Sequence, residues 1–141
     1  MTYVDGGLHN NNPVRILCDE ARSVWDVPGG QSFSYVAVSI GTGCPPLSAV
    51  GKRADELLRS MVKMATDTEN TARGFANDIY NIPEGSRPAY FRFNVQRGLE
   101  GIALEEWEHF GKLAEATNSY LDDLRENVDC CVSALLSVTG M

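Results

Sequence analysis

The sequence predicts an α/β fold with a mixed or parallel sheet of few strands. Apolar runs typical of strands alternate with segments of helical periodicity, and glycine or proline residues separate them. The central run Phe33–Ile40 has small or apolar residues on both faces, which indicates a strand covered by helices on each side. The order strand, helix, strand, helices, strand, helices is typical of layered folds in which helices connect the strands.

Length and composition favour one globular domain. The chain has 141 residues, of which 43% are hydrophobic and 22% are charged. Its net charge of −7 argues against a nucleic-acid partner, because binding a phosphate backbone requires clustered Lys and Arg. No apolar run is long enough for a membrane span, and no basic region followed by an apolar stretch opens the chain.

The cysteines and histidines do not form a recognisable metal or disulfide pattern. No two of the four cysteines form a CxxC pair. The cysteines are Cys18, Cys44, Cys130 and Cys131. Their position in or near apolar segments favours reduced thiols in an intracellular, cytoplasmic compartment. Neither His9 nor His109 has ligand spacing to a cysteine, so we expect no metal and no cofactor.

The first unit of the chain is a strand, a turn and a helix. Thr2–Val4 is β-like, and Asp5-Gly6-Gly7 turns the chain. Asn12 followed by Pro13 is typical of an N-cap and first helical position, which predicts a helix over Pro13–Trp25. Its apolar face is predicted to contain Val14, Leu17, Cys18, Ala21, Val24 and Trp25. Because so few residues precede Asp5, we expect the strand to lie at the cut edge of a larger domain.

The middle of the chain predicts two helices and a third strand. Gly41-Thr42-Gly43 ends the central strand, and helical patterns follow over Asp55–Ala65 and Asp67–Tyr80. Ala89–Val95 alternates large apolar with polar residues and is predicted to be a strand. We place it near a sheet edge, because one of its faces carries the polar residues Tyr90, Arg92 and Asn94.

The last third of the chain is predicted to be helical. A helix is expected over Leu104–Arg125 and a shorter one over Val128–Leu136. Three strands make a thin sheet for this fold class, which again indicates that partner strands are missing.

Asp5 is the residue best placed for chemistry. It stands where a strand ends, and α/β enzymes place functional side chains at the carboxyl ends of their strands. Gly6 and Gly7 have no side chain, so another loop can approach the carboxylate closely. In isolation, however, an Asp-Gly-Gly tripeptide is also typical of a plain turn.

Three segments resemble the patatin-like phospholipase family. Tyr3-Val4-Asp5-Gly6-Gly7, followed by Asn11-Asn12-Pro13, resembles its signature of an apolar strand, Asp-Gly-Gly and Asn-Asn-Pro. Val38–Gly43 resembles the family's strand that ends in Gly-Thr-Gly, and Tyr90–Val95 resembles its late strand. These segments follow one another in the family's order.

The resemblance implies a fold and an activity. Patatin-like enzymes are three-layer α/β/α hydrolases of acyl lipids that use a Ser-Asp dyad without a histidine. The resemblance makes Asp5 the catalytic base, Gly6 and Gly7 its motif, and Asn12, Pro13, Gly41 and Gly43 structural residues near the site. The implied substrate is a glycerolipid or phospholipid, reached through transient, peripheral membrane contact.

The sequence departs from the family in one respect. No serine lies in a Gly-x-Ser-x-Gly segment, and no glycine-rich oxyanion loop accompanies one. We therefore expect residues 1–141 to be a single partial domain, the C-terminal part, without its nucleophile half and inactive alone.

Two alternatives stay open at this point. The chain could be a non-catalytic remnant or a protein-interaction module with an exposed sheet edge. Gly41-Thr42-Gly43 could instead cradle a phosphate, although it lacks the third glycine and the prompt helix of a dinucleotide motif.

Overall fold

The computed structural model describes residues 10–25, 34–43, 56–99, 102 and 107–139, apart from the side chains at 56–62, 107 and 139. The described part is a mixed α/β structure of four helices and two strands. The elements run in the order α1 (Val14–Trp25), β1 (Val36–Ile40), α2 (Glu56–Tyr80), β2 (Ala89–Phe93), α3 (Phe110–Asp123) and α4 (Arg125–Thr139). The predicted strand Thr2–Val4 lies outside the described residues.

The two strands pair in parallel. Val36 lies opposite Ala89 and Ile40 lies opposite Phe93, so the strands end together. Parallel strands need a long crossover connection, and the segment that contains α2 provides it. The predicted parallel sheet is thus confirmed for these two strands, and their carboxyl ends meet at one edge.

One core cluster joins α1, α2 and the sheet. Val14 and Cys18 of α1 and Phe75 and Ile79 of α2 enclose Ala37 of β1. Two partly buried tyrosines, Tyr35 and Tyr90, pack against this cluster. The Phe75 and Tyr90 rings meet edge to face, with 4.9 Å between their centroids and an angle of 89° between their planes. The face of the sheet that contains Ala37 is therefore covered by α1 and α2.

The predicted break in the middle helical segment is wrong. The structure has one continuous helix of 25 residues, α2, where the sequence predicted helices over 55–65 and 67–80. Thr66, Asp67 and Thr68 are polar, but none of them is a glycine or proline, and such residues cost little inside a helix. Packing of Ala72, Phe75 and Ile79, which are buried, holds the C-terminal half in the same helix.

The second face of β1 is less covered than predicted. Ile40 is 79% exposed and Val38 is also exposed, so the predicted helical cover on both faces is not seen at this end of β1 among the residues that the structure describes. The apolar face of α1 is also narrower than predicted, since Leu17, Val24 and Trp25 are exposed. Only Val14 and Cys18 of α1 are buried.

The polar face of β2 is largely shielded from solvent, and all five residues of the strand are partly buried. The predicted position of β2 near a sheet edge is not contradicted, since β2 is an edge strand of the two-stranded sheet in the described part of the chain. Tyr90 packs on the core, and Asn94 is buried directly after the strand. Hydrogen bonds to neighbouring elements satisfy Asn94, which is why a polar residue is tolerated there.

The C-terminal helices follow a 3-10 turn over Trp107–His109. Only Leu124 separates α3 from α4, so the helical segment continues beyond the predicted gap before Val128. Helix α4 contacts both strands. Within the described part of the chain, no helix is long and apolar enough to cross a membrane.

Candidate functional site

A network of polar side chains lies at the carboxyl ends of β1 and β2. Two residues that the family resemblance placed near the site, Asn12 and Gly43, take part in it, and a third, Gly41, lies directly beside Asn94. Pro13, the fourth, precedes α1, and its carbonyl accepts the Leu17 N–H at 2.9 Å. The expected catalytic residue Asp5 and its motif, Gly6 and Gly7, lie outside the described residues.

Asn12 connects the start of α1 to both neighbouring elements. Its Oδ1 atom accepts the Val14 backbone N–H at 3.4 Å, as an N-cap does, and the Ser39 hydroxyl at 3.2 Å. Its Nδ2 atom donates to the Thr68 carbonyl of α2 at 3.3 Å. Asn12 is buried, so these three contacts satisfy a side chain with little access to water.

Arg92 of β2 extends the network across the sheet. Its Nη1 atom donates to Ser39 Oγ at 2.9 Å, and its Nη2 atom donates to Glu69 Oε1 at 2.8 Å. The Arg92 side chain is 13% exposed and that of Glu69 is 27% exposed. The ion pair is therefore largely removed from water. Arg92 Nε has no hydrogen-bond partner among the described residues.

Asn94 joins the network to the turn after β1. Its Nδ2 atom donates to Glu69 Oε1 at 2.8 Å, and its Oδ1 atom accepts the Gly43 N–H at 2.8 Å. The Asn94 backbone N–H donates to the Tyr120 hydroxyl at 3.0 Å, which attaches α3 to the same point. The side chain of Asn94 thus bridges α2 and the Gly41–Gly43 turn.

The two glycines of the turn are needed for different reasons. A Cβ on Gly41 would lie 2.2 Å from Asn94 Oδ1, so a larger residue would displace Asn94. Gly43 has a φ of 99°, a left-handed conformation that residues with a side chain adopt at a cost. The Gly41 N–H donates to the Phe93 carbonyl at 2.7 Å and continues the ladder of the sheet. The Gly-Thr-Gly segment therefore fits closely around Asn94.

The hydrogen bonds of this network position its side chains rather than activate a nucleophile. The Ser39 proton is directed to the amide oxygen of Asn12 rather than to a carboxylate, so Ser39 is not arranged as an activated nucleophile. The Glu69 oxygen that faces the network already accepts two donors. The Gly43 N–H is bound by Asn94, which disfavours the phosphate-cradling alternative. Among the described residues, no group of three or more His, Cys, Asp or Glu side chains could hold a metal ion.

Glu69, Arg92 and Asn94 were not predicted as site residues. Arg92 and Asn94 are separated from Glu69 by 23 and 25 positions, so no local spacing connects them. The one sequence signal is the pair of polar residues at the end of an apolar strand, which we interpret as the mark of a strand near a sheet edge.

A second group of titratable side chains includes Cys18 of the core cluster and Tyr35, which packs against that cluster. Burial raises the pKa of the Cys18 thiol, and the nearby Asp19 carboxylate raises it further, against the Tyr35 hydrogen bond and the Arg22 guanidinium. Burial is also the largest cause of the raised pKa of Tyr35, whose hydroxyl accepts Arg22 Nη2 at 2.9 Å. A buried thiol that favours its protonated form is a poor nucleophile, so this cluster is structural.

An open groove of about 670 Å³ runs between the loop after β2 and one face of α3. Its lining includes both basic and acidic side chains, with Arg97 and Lys112 beside Glu115 and Asp123. The groove borders the network through Gln96, whose Nε2 atom donates to the Asn94 carbonyl at 3.0 Å.

Comparison with known proteins gives no relative. No family model matches the chain, and neither a curated protein nor a solved structure matches it.

Proposed function

We propose that the chain is the C-terminal part of a patatin-like lipid acyl hydrolase and that Asp5 is the base of its Ser-Asp dyad. The observation that carries the proposal is the meeting of two family motifs at one place. Asn12 and the Gly41–Gly43 turn are distant in sequence, yet the Ser39, Arg92, Glu69 and Asn94 side chains connect them at the carboxyl edge of the sheet.

This location suits a catalytic aspartate. Active sites of open α/β sheets lie at the carboxyl ends of their strands, and Asn12 is held beside that end of β1. Asp5 is seven positions before Asn12 in the sequence. We propose that Asp5 belongs to the same edge, because it is part of the segment that leads to Asn12.

The general arrangement also agrees with a layered fold. Helices α1 and α2 cover the Ala37 face of the sheet, and α4 contacts both strands. We propose that a complete domain has the three-layer α/β/α arrangement of the family, in which further strands extend the sheet.

In the proposed reaction, Asp5 accepts a hydrogen bond from a serine hydroxyl and removes its proton as the oxygen attacks the ester carbonyl of a glycerolipid or phospholipid. A carboxylate is a weak base, so close placement must raise its effectiveness. The sequence contains no Gly-x-Ser-x-Gly segment, so the serine and the oxyanion loop come from outside residues 1–141. The chain alone is then inactive.

The first experiment measures hydrolysis of a p-nitrophenyl acyl ester by residues 1–141. We expect no turnover above the uncatalysed reaction. Turnover that Asp5→Ala abolishes would contradict the requirement for an external serine.

The second experiment uses the reading frame extended upstream of Met1. We expect an in-frame Gly-x-Ser-x-Gly segment there, and we expect Asp5→Asn to lower kcat of the extended polypeptide by about 10²- to 10⁴-fold. Asp19→Asn is the matched control, since the Asp19 carboxylate is 76% exposed on α1 and forms a surface ion pair with Arg22. Equal effects of the two substitutions would contradict the proposed role of Asp5.

One observation favours a second candidate, a non-catalytic module that binds another chain. Ile40 is 79% exposed beside the exposed Val38 on one face of β1, and apolar side chains at such a position are suited to a protein interface. Absence of a Gly-x-Ser-x-Gly segment from the extended reading frame would favour this candidate over the hydrolase.

A further inference from the structure

The polar network has two branches, one through Arg92 and one through Asn94, and both meet on Glu69 near the middle of α2. Its Oε1 atom accepts Arg92 Nη2 and Asn94 Nδ2, each at 2.8 Å. Through Arg92 the network reaches Ser39, and through Asn94 it reaches the N–H of Gly43. One carboxylate oxygen therefore connects β1 to the turn that follows it.

Asn12 completes the first branch. It accepts the Ser39 hydroxyl at 3.2 Å and donates to the Thr68 carbonyl at 3.3 Å. Thr68 and Glu69 are consecutive, so α2 holds Asn12 and the two strand ends through adjacent residues. The N-cap of α1 and the Gly41–Gly43 turn are thus tied to one point of one helix.

Stability alone is a weak reason for this arrangement. Removing two opposite charges from water costs several kcal/mol per ion in general, and an apolar pair of similar volume is often as stable. The Arg92 and Glu69 side chains are 13% and 27% exposed, and Arg92 Nε has no partner among the described residues. An ion pair in these conditions is better explained by the geometry that it fixes.

We propose that Glu69 is a positioning residue that holds Asn12 and the Gly41–Gly43 turn in one fixed relation. This inference rests on the proposed function, in which Asn12 ends the segment that contains the catalytic base. The residue acts through Asn12 and does not itself touch substrate.

The first test measures backbone amide exchange by NMR in residues 1–141. Glu69→Ala removes the shared acceptor and keeps a strong helix former in α2, so the helix is expected to remain folded. We expect exchange of the Gly43 and Val14 amides to become about tenfold faster, because each lies at one end of the network. Glu69→Gln keeps an acceptor oxygen at the same reach and should partly restore both amides.

The matched control is Asp78→Asn, which removes the surface ion pair between Arg15 and Asp78 of the same helix. It should leave both amides unchanged. A response of only one of the Gly43 and Val14 amides to Glu69→Ala would overturn the proposal, as would an equal response of both to Asp78→Asn.

The second test measures ester hydrolysis by the polypeptide extended upstream of Met1. Glu69→Ala should lower kcat on the order of 10- to 100-fold with KM unchanged, since the base is displaced while substrate contacts remain. Glu69→Gln should recover part of kcat. If the polypeptide hydrolyses the ester and Glu69→Ala retains the full kcat, the positioning role is wrong and the proposed function stands. If the polypeptide with its serine and Asp5 intact hydrolyses no acyl ester, the proposed function fails. The amide exchange then still decides whether Glu69 joins the N-cap of α1 to the Gly41–Gly43 turn.

Discussion

Asn94 Oδ1 accepts the backbone N–H of Gly43 at 2.8 Å, so the residue that follows β2 holds the turn that follows β1. The Nδ2 atom of the same side chain donates to Glu69. Only 4% of Asn94 is exposed, so water has little access to these contacts from the Asn94 side. The consequences of this relationship can be measured.

Asn94→Ala should lower the free energy of unfolding by on the order of 2 kcal/mol. The substitution leaves the Gly43 N–H without its acceptor and removes one donor from Glu69, and buried groups without partners are costly. Urea denaturation measures the change. Asn70→Ala is the control, because Asn70 is an exposed residue of α2, and it should leave stability unchanged or slightly raised. Equal losses for the two variants would contradict the network's contribution.

Gly41→Ala should destabilise the fold by about 1–3 kcal/mol, as expected when a side chain is forced into a packed space. The new Cβ would lie 2.2 Å from Asn94 Oδ1. Thermal unfolding followed by circular dichroism measures the loss. Gly85→Ala is the control, because a Cβ there meets nothing within 4 Å. Combining Gly41→Ala with Asn94→Ser, which shortens the obstructing side chain, should give a smaller loss than the sum of the single variants, and strict additivity would argue against the clash.

Phe75→Leu should lower the free energy of unfolding by about 1–2 kcal/mol. Phe75 is buried among Val14, Cys18 and Ile79, and the substitution removes its edge-to-face contact with Tyr90. Phe110→Leu makes the same chemical change at a side chain that is 73% exposed and should alter stability by less than about 0.5 kcal/mol. Urea denaturation of both variants checks the difference, and a larger loss for Phe110→Leu would contradict the assigned core.

Stability should fall as the pH rises above about 9. Burial raises the pKa of Cys18 above its ordinary 9.0 and that of Tyr35 above its ordinary 10.0. The unfolded chain therefore releases these protons at lower pH than the folded chain, so stability is complete below the ordinary values and is lost as the pH rises through the raised ones. Urea denaturation between pH 8 and pH 11 measures the decline. Cys18→Ala should make it shallower, and a rise in stability over this range would contradict the raised pKa values.

Local patterns of the sequence were sufficient for most elements. Helix α1 was predicted from its N-cap and periodicity, and β2 from its alternation, within two residues of their ends. The continuity of α2 through Thr66–Thr68 could not be predicted, because packing of Phe75 and Ile79 against the sheet decides it. The exposure of Ile40 depends on which neighbouring segments reach β1, and periodicity does not contain that information.

The site was predictable only where a motif existed. Asn12, Gly41 and Gly43 were identified through a family resemblance, and the structure brings Asn12 and Gly43 into one network with Gly41 beside it. Glu69 and Arg92 were missed, because a carboxylate on a helix and a guanidinium on a strand cannot be recognised as partners from the sequence. Only the crossover connection brings their atoms within 2.8 Å.

The unbroken length of α2 has a consequence for how the molecule melts. Glu69 holds the polar network and Phe75 fills the core. The two residues are six positions, or about 9 Å, apart along the same helix. Without a hinge between them, neither can shift and leave the other in place. Loss of the core and loss of the strand-end geometry should therefore occur as one cooperative event, so that the sheet edge keeps its shape up to the temperature at which the whole fold is lost.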